Sequence, residues 1–396
     1  MTPGIVFSQG MRVFFLSAGI YSVLAMGVWE GWLAGAAITG EATALPFAPP
    51  PAMWHAHEMV FGYACAVLAG FFLTAVPGWT GEKSARAAFL TLLAGLWLAG
   101  RLAVWLSGGL HPLLVAGLDL AFLPVLGGKI ALQLIRRPKP QNLMFIGLIA
   151  LLWSGNLVVH LDWTGLAPGA AGTGLRMGLL TICATIAVIG GRVIPAFTRN
   201  AMLRSGRETG LPVSRRPAEV LGIGAAILLP VALGLGLPGG AVAVVALAAG
   251  GAQAVRLAGW RGGWARGQPI LWSLHLAFAM LTFGYLALAA SQFGVTGEVG
   301  ALHVLGIGAI GGMTLAMMTR AALGHTNRPL VVARPIAIAY GMIALAALLR
   351  FLGTEAGPGW YEWSILISGA LWVAGFAVFT VIYTPILAGP RLDDAV

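Results

Sequence analysis

Seven histidines stand in this 396-residue chain, and five of them, His55, His57, His111, His160 and His303, fall at the same end of long apolar stretches. His275 lies deeper in another stretch, and His325 falls in a polar break. Neutral imidazole is the commonest metal ligand, and ionisable groups within apolar spans usually serve a function. Clustering at one depth therefore points to a metal or heme site. For any single histidine the structural alternative is a ring hydrogen-bonded to water or backbone at a membrane interface. The densest group is Trp54-His55-Ala56-His57-Glu58-Met59, which follows Pro49-Pro50-Pro51. On a regular helix His55 and His57 diverge by about 200°, so two different partners are implied. His55 shares a face with Met59, and Glu58, favoured near a helix N-terminus, is placed to orient an imidazole. His303 is followed three residues later by Gly306, which leaves room for a flat macrocycle or for a close helix contact. His55, His57, His160 and His303 are thus the candidate heme or metal ligands, with Met59 and Glu58 beside them. A heme between the second, fifth and tenth apolar stretches is geometrically reasonable. His275 is the candidate for a separate metal or proton role.

Charges within the apolar stretches extend the picture. Arg101 and Asp119 lie at similar depths and are suited to pair with each other. Arg101, Arg176 and Arg350 are otherwise the arginines placed to hold heme propionates through bidentate contacts. Arg192, at the opposite depth, is expected to snorkel. Cys65 and Cys183 fall near the middles of two stretches, where packing is the expected role and a soft copper ligand the minority one.

These side chains must be positioned by membrane helices. Hydrophobic residues make up 59% of the chain, charged residues only 9%, and mean hydropathy is +0.89, a composition no soluble fold could bury. Successive apolar runs of about 20 residues match the hydrocarbon layer, and they do not alternate with period two as barrel strands do. The expected fold is all-α and polytopic, a single transmembrane domain. Its twelve helices are expected at about 12–37, 54–79, 87–107, 112–135, 142–162, 173–198, 217–236, 239–257, 269–291, 299–319, 330–351 and 361–388. Most of the 57 glycines suit close helix contacts. The second, sixth and tenth helices end on Thr80, Thr198 and Thr319 in related contexts, Gly191 to Arg199 resembling Gly312 to Arg320. This faint repeat suggests three four-helix units around a pseudo-threefold axis.

Lys and Arg gather in alternate breaks, at 80–86, 136–141 and 199–216 and onward to Arg391, which places both termini in the cytoplasm. Topology then accounts for the net charge of +10, and nucleic acid is not an expected partner. The first helix lacks the pattern of a cleavable signal.

The blocks Trp54 to Gly62, Ala69 to Gly81, Gly191 to Asn200, and Ala301-Leu-His303 through Gly312 to Thr326 resemble the signature segments of the NnrS family, over nearly the whole chain. The resemblance implies a twelve-helix bacterial inner-membrane protein containing heme b and copper, linked to denitrification and to resistance against nitric oxide. It implies no reaction. A more distant likeness is to the catalytic subunits of heme-copper oxidases and nitric oxide reductases. Helix 2 resembles their low-spin heme helix, and His303 stands on helix 10. The sixth and seventh helices carry no histidine, however, and Leu305 stands where a second heme ligand is expected, so the three-histidine copper site of those enzymes is absent. The competing expectation is a secondary transporter or metal-delivery protein without heme.

The orientation is open to direct measurement. In intact cells Ser205→Cys should react with a membrane-impermeant maleimide only after the inner face is opened, and Val295→Cys should react from outside. The reverse labelling would invert the topology.

Overall fold

A computed structural model describes residues 3–395. Among the described residues, twelve helices are long and apolar enough to cross a membrane. They are α1 (Gly10–Thr39), α2 (Pro51–Thr80), α3 (Ala87–Trp105), α4 (Pro112–Arg136), α5 (Pro140–Trp163), α6 (Ala171–Arg204), α7 (Arg216–Gly234), α8 (Gly239–Ala258), α9 (Pro269–Ser291), α10 (Glu298–His325), α11 (Arg334–Glu355) and α12 (Gly359–Leu387). No strand occurs among the described residues. This is a multi-pass, all-helical membrane protein.

Local sequence sets the helix ends. Proline occupies the first turn of α2, α4, α5, α7, α9 and α11, where its missing N–H costs no hydrogen bond. Gly40 and Gly81 close α1 and α2 at a φ of 73°, a left-handed conformation that glycine adopts without penalty. Two helices outrun their apolar cores. α6 continues to Arg204 and α10 to His325, so Arg199, Arg204 and His325 are helical rather than in breaks. Hydropathy marks where the lipid layer ends, whereas hydrogen bonding carries a helix on into the polar region.

Two helices change their winding. Glu58–Ala64 in α2 and Val304–Gly311 in α10 are π-helical, each beginning one residue after a histidine, His57 in one case and His303 in the other. Such segments are rare and frequently mark functional sites. Both helices are 72% buried over their most apolar windows, against 33% for α7 and α12.

The chain divides into two compact units. The first comprises residues up to Gly178, Ala321–Pro329 and the segment from Phe376 onward; the second comprises Leu179–Arg320 and Leu330–Gly375. In the first, α1 packs on α2 and α4 on α5; in the second, α8 packs between α7 and α9, and α10 against α9 and α11. The three threonines of the repeat have diverged in their partners. Thr80 bonds the Val76 carbonyl, Thr198 the His275 ring and Thr319 the Tyr340 hydroxyl.

Candidate metal centre

The first unit gathers its polar side chains into one buried network. Each of the five helices α1 to α5 contributes: Tyr21 from α1, His57 and Glu58 from α2, Arg101 from α3, Asp119 from α4, and Asn156 with His160 from α5. His57 and Glu58 are wholly buried, and none of Arg101, Asp119, Asn156 and His160 is more than 6% exposed. Arg101 bridges the carboxylates, its Nη1 lying 2.6 Å from Glu58 Oε1 and its Nη2 bonding Asp119 Oδ1. The Tyr21 hydroxyl donates to Glu58 Oε2. Asn156 Nδ2 donates to Asp119 Oδ2 at 2.8 Å, and His160 Nε2 meets the same oxygen at 2.8 Å.

Two glycines make room for this. A Cβ on Gly62 would come within 2.9 Å of Arg101 Nη1 and 3.1 Å of Glu58 Oε2; one on Gly100 would come within 3.1 Å of the Asp119 Cα. Trp97 closes the wall by donating to the Gly62 carbonyl at 2.9 Å. The Trp163 ring lies 4.9 Å from that of His57 and 5.3 Å from that of His160.

His57 is the chemically unusual member. Its Nδ1 faces Glu58 Oε1 at 2.8 Å, while its Nε2 faces Asn156 Oδ1 at 2.9 Å and Asp119 Oδ2 at 3.3 Å. Acceptors therefore stand on both sides of a ring that carries only one proton when neutral. Two carboxylates against one guanidinium also leave one negative charge over. A single cation, whether a second proton on His57 or a metal ion, answers both deficits. His57, Asp119 and His160 each offer one ligand atom, all within 4.8 Å of one another, and an imidazole–imidazole–carboxylate set suits copper, iron or zinc.

The other candidate residues of the first unit have contacts of their own. His55 is half-buried and stacks on Trp29 with ring centroids 4.9 Å apart, while Met59 packs on the cluster containing Phe47 and Trp54. Arg176 is half-buried on the opening turns of α6. His111 is the N-cap of α4, its Nδ1 accepting from the Leu113 N–H at 3.3 Å. Cys65 and Cys183 are free thiols, both buried.

The second unit holds His303, Arg350 and His275. His303 Nδ1 donates to the Val299 carbonyl at 2.7 Å, which puts the ring's lone pair on Nε2. Arg350, on α11, is 4% exposed; its Nη2 reaches the Tyr361 hydroxyl at 3.3 Å and its buried Nη1 has no hydrogen-bond partner. Gly306 faces only Leu179, at 3.8 Å from where a Cβ would stand. His275 Nε2 lies 2.9 Å from Thr198 Oγ1.

Sequence reading missed Tyr21, Asn156 and the two spacing glycines. Asn156 had a legible signal, an amide inside an apolar helix one turn before His160. Tyr21 had none, since it is an aromatic residue in an apolar run.

Removing one member of a buried ion pair strands the other charge. Arg101→Met should therefore destabilise the protein by about 3–5 kcal/mol, read by chemical unfolding in detergent. A loss no larger than the roughly 0–1 kcal/mol of a surface pair would show that the network is solvated.

No curated protein matches the chain. The model of the NnrS protein family matches residues 5–391, so nearly the whole sequence is accounted for, the signature segments around His57 and His303 included. The chain belongs to the NnrS family.

Proposed function

We propose that this is a bacterial inner-membrane protein, both termini cytoplasmic, that binds copper and heme b and handles nitric oxide, protecting the cell during nitrosative stress or denitrification. The observation that carries this reading is the buried His57–Asp119–His160 group, whose ligand atoms lie within 4.8 Å of one another inside apolar helices. Bound copper supplies a one-electron centre, and bound heme an iron that takes nitric oxide.

The residues fit both groups. His57, His160 and Asp119 would hold the metal ion. Glu58 fixes the His57 ring through Nδ1, leaving Nε2 to face the ligand position, and Arg101 holds both carboxylates in place. For heme, His303 presents a lone pair at Nε2, and Arg350 has a buried guanidinium nitrogen without a partner, suited to a propionate. The open face at Gly306 gives a macrocycle space. With only Cys65 and Cys183 in the chain there is no paired-cysteine attachment motif, which favours non-covalent heme b. The apolar surroundings admit a small uncharged molecule and exclude ions. His55, Met59, Arg101, Arg176 and His275 are left without a ligand role in this proposal.

The test is metal and heme analysis of the purified protein with reduced-minus-oxidised spectra, before and after anaerobic nitric oxide. The expected result is copper and a heme b spectrum that nitric oxide perturbs. His303→Ala should lose heme and keep copper; His160→Ala should lose copper and keep heme. Normal heme in His303→Ala, or normal copper in His160→Ala, would refute the corresponding assignment, and a folded protein free of both would refute the function.

A further inference from the structure

A buried cation without an acceptor lies in the second unit, at the end where α6 and α10 run past their apolar stretches. Five arginines are buried among the described residues: Arg12, Arg101, Arg256, Arg320 and Arg350. Four of them direct N–H groups at oxygen. Arg12 donates to the Leu387 and Gly389 carbonyls, Arg101 to two carboxylates, Arg256 to the Ala187 carbonyl and Gln253 Oε1, and Arg350 to the Tyr361 hydroxyl. Arg320 is only 9% exposed, yet it has no hydrogen bond or ion pair among the described residues. Its burial is not a demand of the Thr-Arg repeat, because Arg199, which follows Thr198 as Arg320 follows Thr319, is exposed.

What holds Arg320 is a ring. Its guanidinium carbon lies 3.9 Å from the centroid of Phe197 on α6. A cation–π contact covers one flat face of the guanidinium and leaves the N–H donors around its rim without acceptors. The charge nearby does not compensate it either. The groups that act on it are Arg204, of the same sign, and the Tyr340 phenol, which carries no charge near neutral pH. Arg204 stands seven residues after Phe197 on the same helix, two turns further out on one face, and helical side chains lean back towards the N-terminus, so its guanidinium extends towards that of Arg320. Two like charges meet at the edge of the bundle, one of them buried, with no acid between them. Burying a charge without a partner is costly, and what offsets that cost here is an anion.

We propose that Arg320 and Arg204 bind the phosphate group of an anionic phospholipid where α6 and α10 leave the apolar layer. Phe197 keeps the Arg320 guanidinium flat, and the free edge of that fork matches the two unesterified oxygens of a phosphodiester. Arg204 closes on the same group from the outer turn of α6. The phosphate supplies both the missing acceptor and the missing negative charge. Depth favours a lipid over a free ion: Arg320 is the first Lys or Arg of α10, at the level where the apolar run gives way to headgroups, and basic pockets between membrane helices at that level suit anionic lipids. The proposal is independent of heme and copper, since neither arginine is a candidate for holding them.

Native mass spectrometry of the full-length protein, delipidated in a non-ionic detergent, tests this with three probes at equal ionic strength: phosphatidylglycerol, diacylglycerol with the same chains and no phosphate, and inorganic phosphate. Phosphatidylglycerol should be retained and diacylglycerol should not. Arg320→Gln should weaken that retention by about tenfold or more, the loss of a hydrogen-bonded charge pair, and Arg204→Gln should weaken it less. Arg137→Gln, an exposed arginine just after α4 in the first unit, should leave it unchanged. Inorganic phosphate bound in place of phosphatidylglycerol would assign the site to the free ion and overturn the lipid source. Equal retention of diacylglycerol, or retention of phosphatidylglycerol unchanged in both Arg320→Gln and Arg204→Gln, would overturn the site itself. If Arg320→Gln does not fold, Arg204→Gln, at an exposed position, decides alone: unchanged retention there rejects the proposal.

Discussion

Arg101 ties Glu58 to Asp119 inside a bundle whose outer faces meet lipid, and the arrangement of the first unit depends on that tie. Each charge alone would cost several kcal/mol at the centre of a membrane, so none is tolerable unless the other two are in place. The three sit on three different helices, which fixes the rotation and depth of α2, α3 and α4 together. Asn156 and His160 extend the same requirement to α5, and Tyr21 extends it to α1. Gly62 and Gly100 are the steric conditions of the tie, since a side chain at either would occupy the space of the guanidinium or of Asp119.

The π-helical segment of α2 belongs to this constraint. It starts at Glu58 and returns to α-helix at Cys65, with Gly62 inside it. An added residue in the winding rotates the later turns of a helix by about 100° relative to the earlier ones, which lets one helix serve two register demands. His57 and Glu58 face Arg101 and α5, while the stretch after Cys65 packs its small residues on α1. α10 repeats the device after His303, where Gly306 has little against it while Gly308 packs closely on Met280 and Ala347, so that α10 seats on α9 and α11.

The two units use polar groups differently. The first concentrates charge and imidazole into one group around Arg101. The second disperses single polar residues: a histidine with a free lone pair beside an apolar face, an arginine nitrogen without a partner, and a line of hydroxyls. The threonine repeat shows the divergence locally. Thr198 and Thr319 close similar Gly-to-Arg segments, yet one meets a histidine and the other a tyrosine, because the helices packed against them differ.

The sequence by itself determined that this chain lies in a membrane, how many helices cross it and where most of them begin, because hydropathy and proline are properties of short segments. It also determined which residues were expensive to bury, and so singled out His57, Glu58, Arg101, Asp119 and His160 as chemically significant. Only the tertiary structure decided how they combine. It set His55 against Trp29 and Met59 against the cluster of Phe47 and Trp54, brought Asn156 and Tyr21 into the network, and placed His303 and Arg350 in the second unit. The reason is that partner choice depends on helix rotation, and a single extra residue of π winding resets that rotation without altering composition or hydropathy. The ends of α6 and α10 were misjudged for a related reason: backbone hydrogen bonds carry a helix beyond the lipid boundary that hydropathy detects.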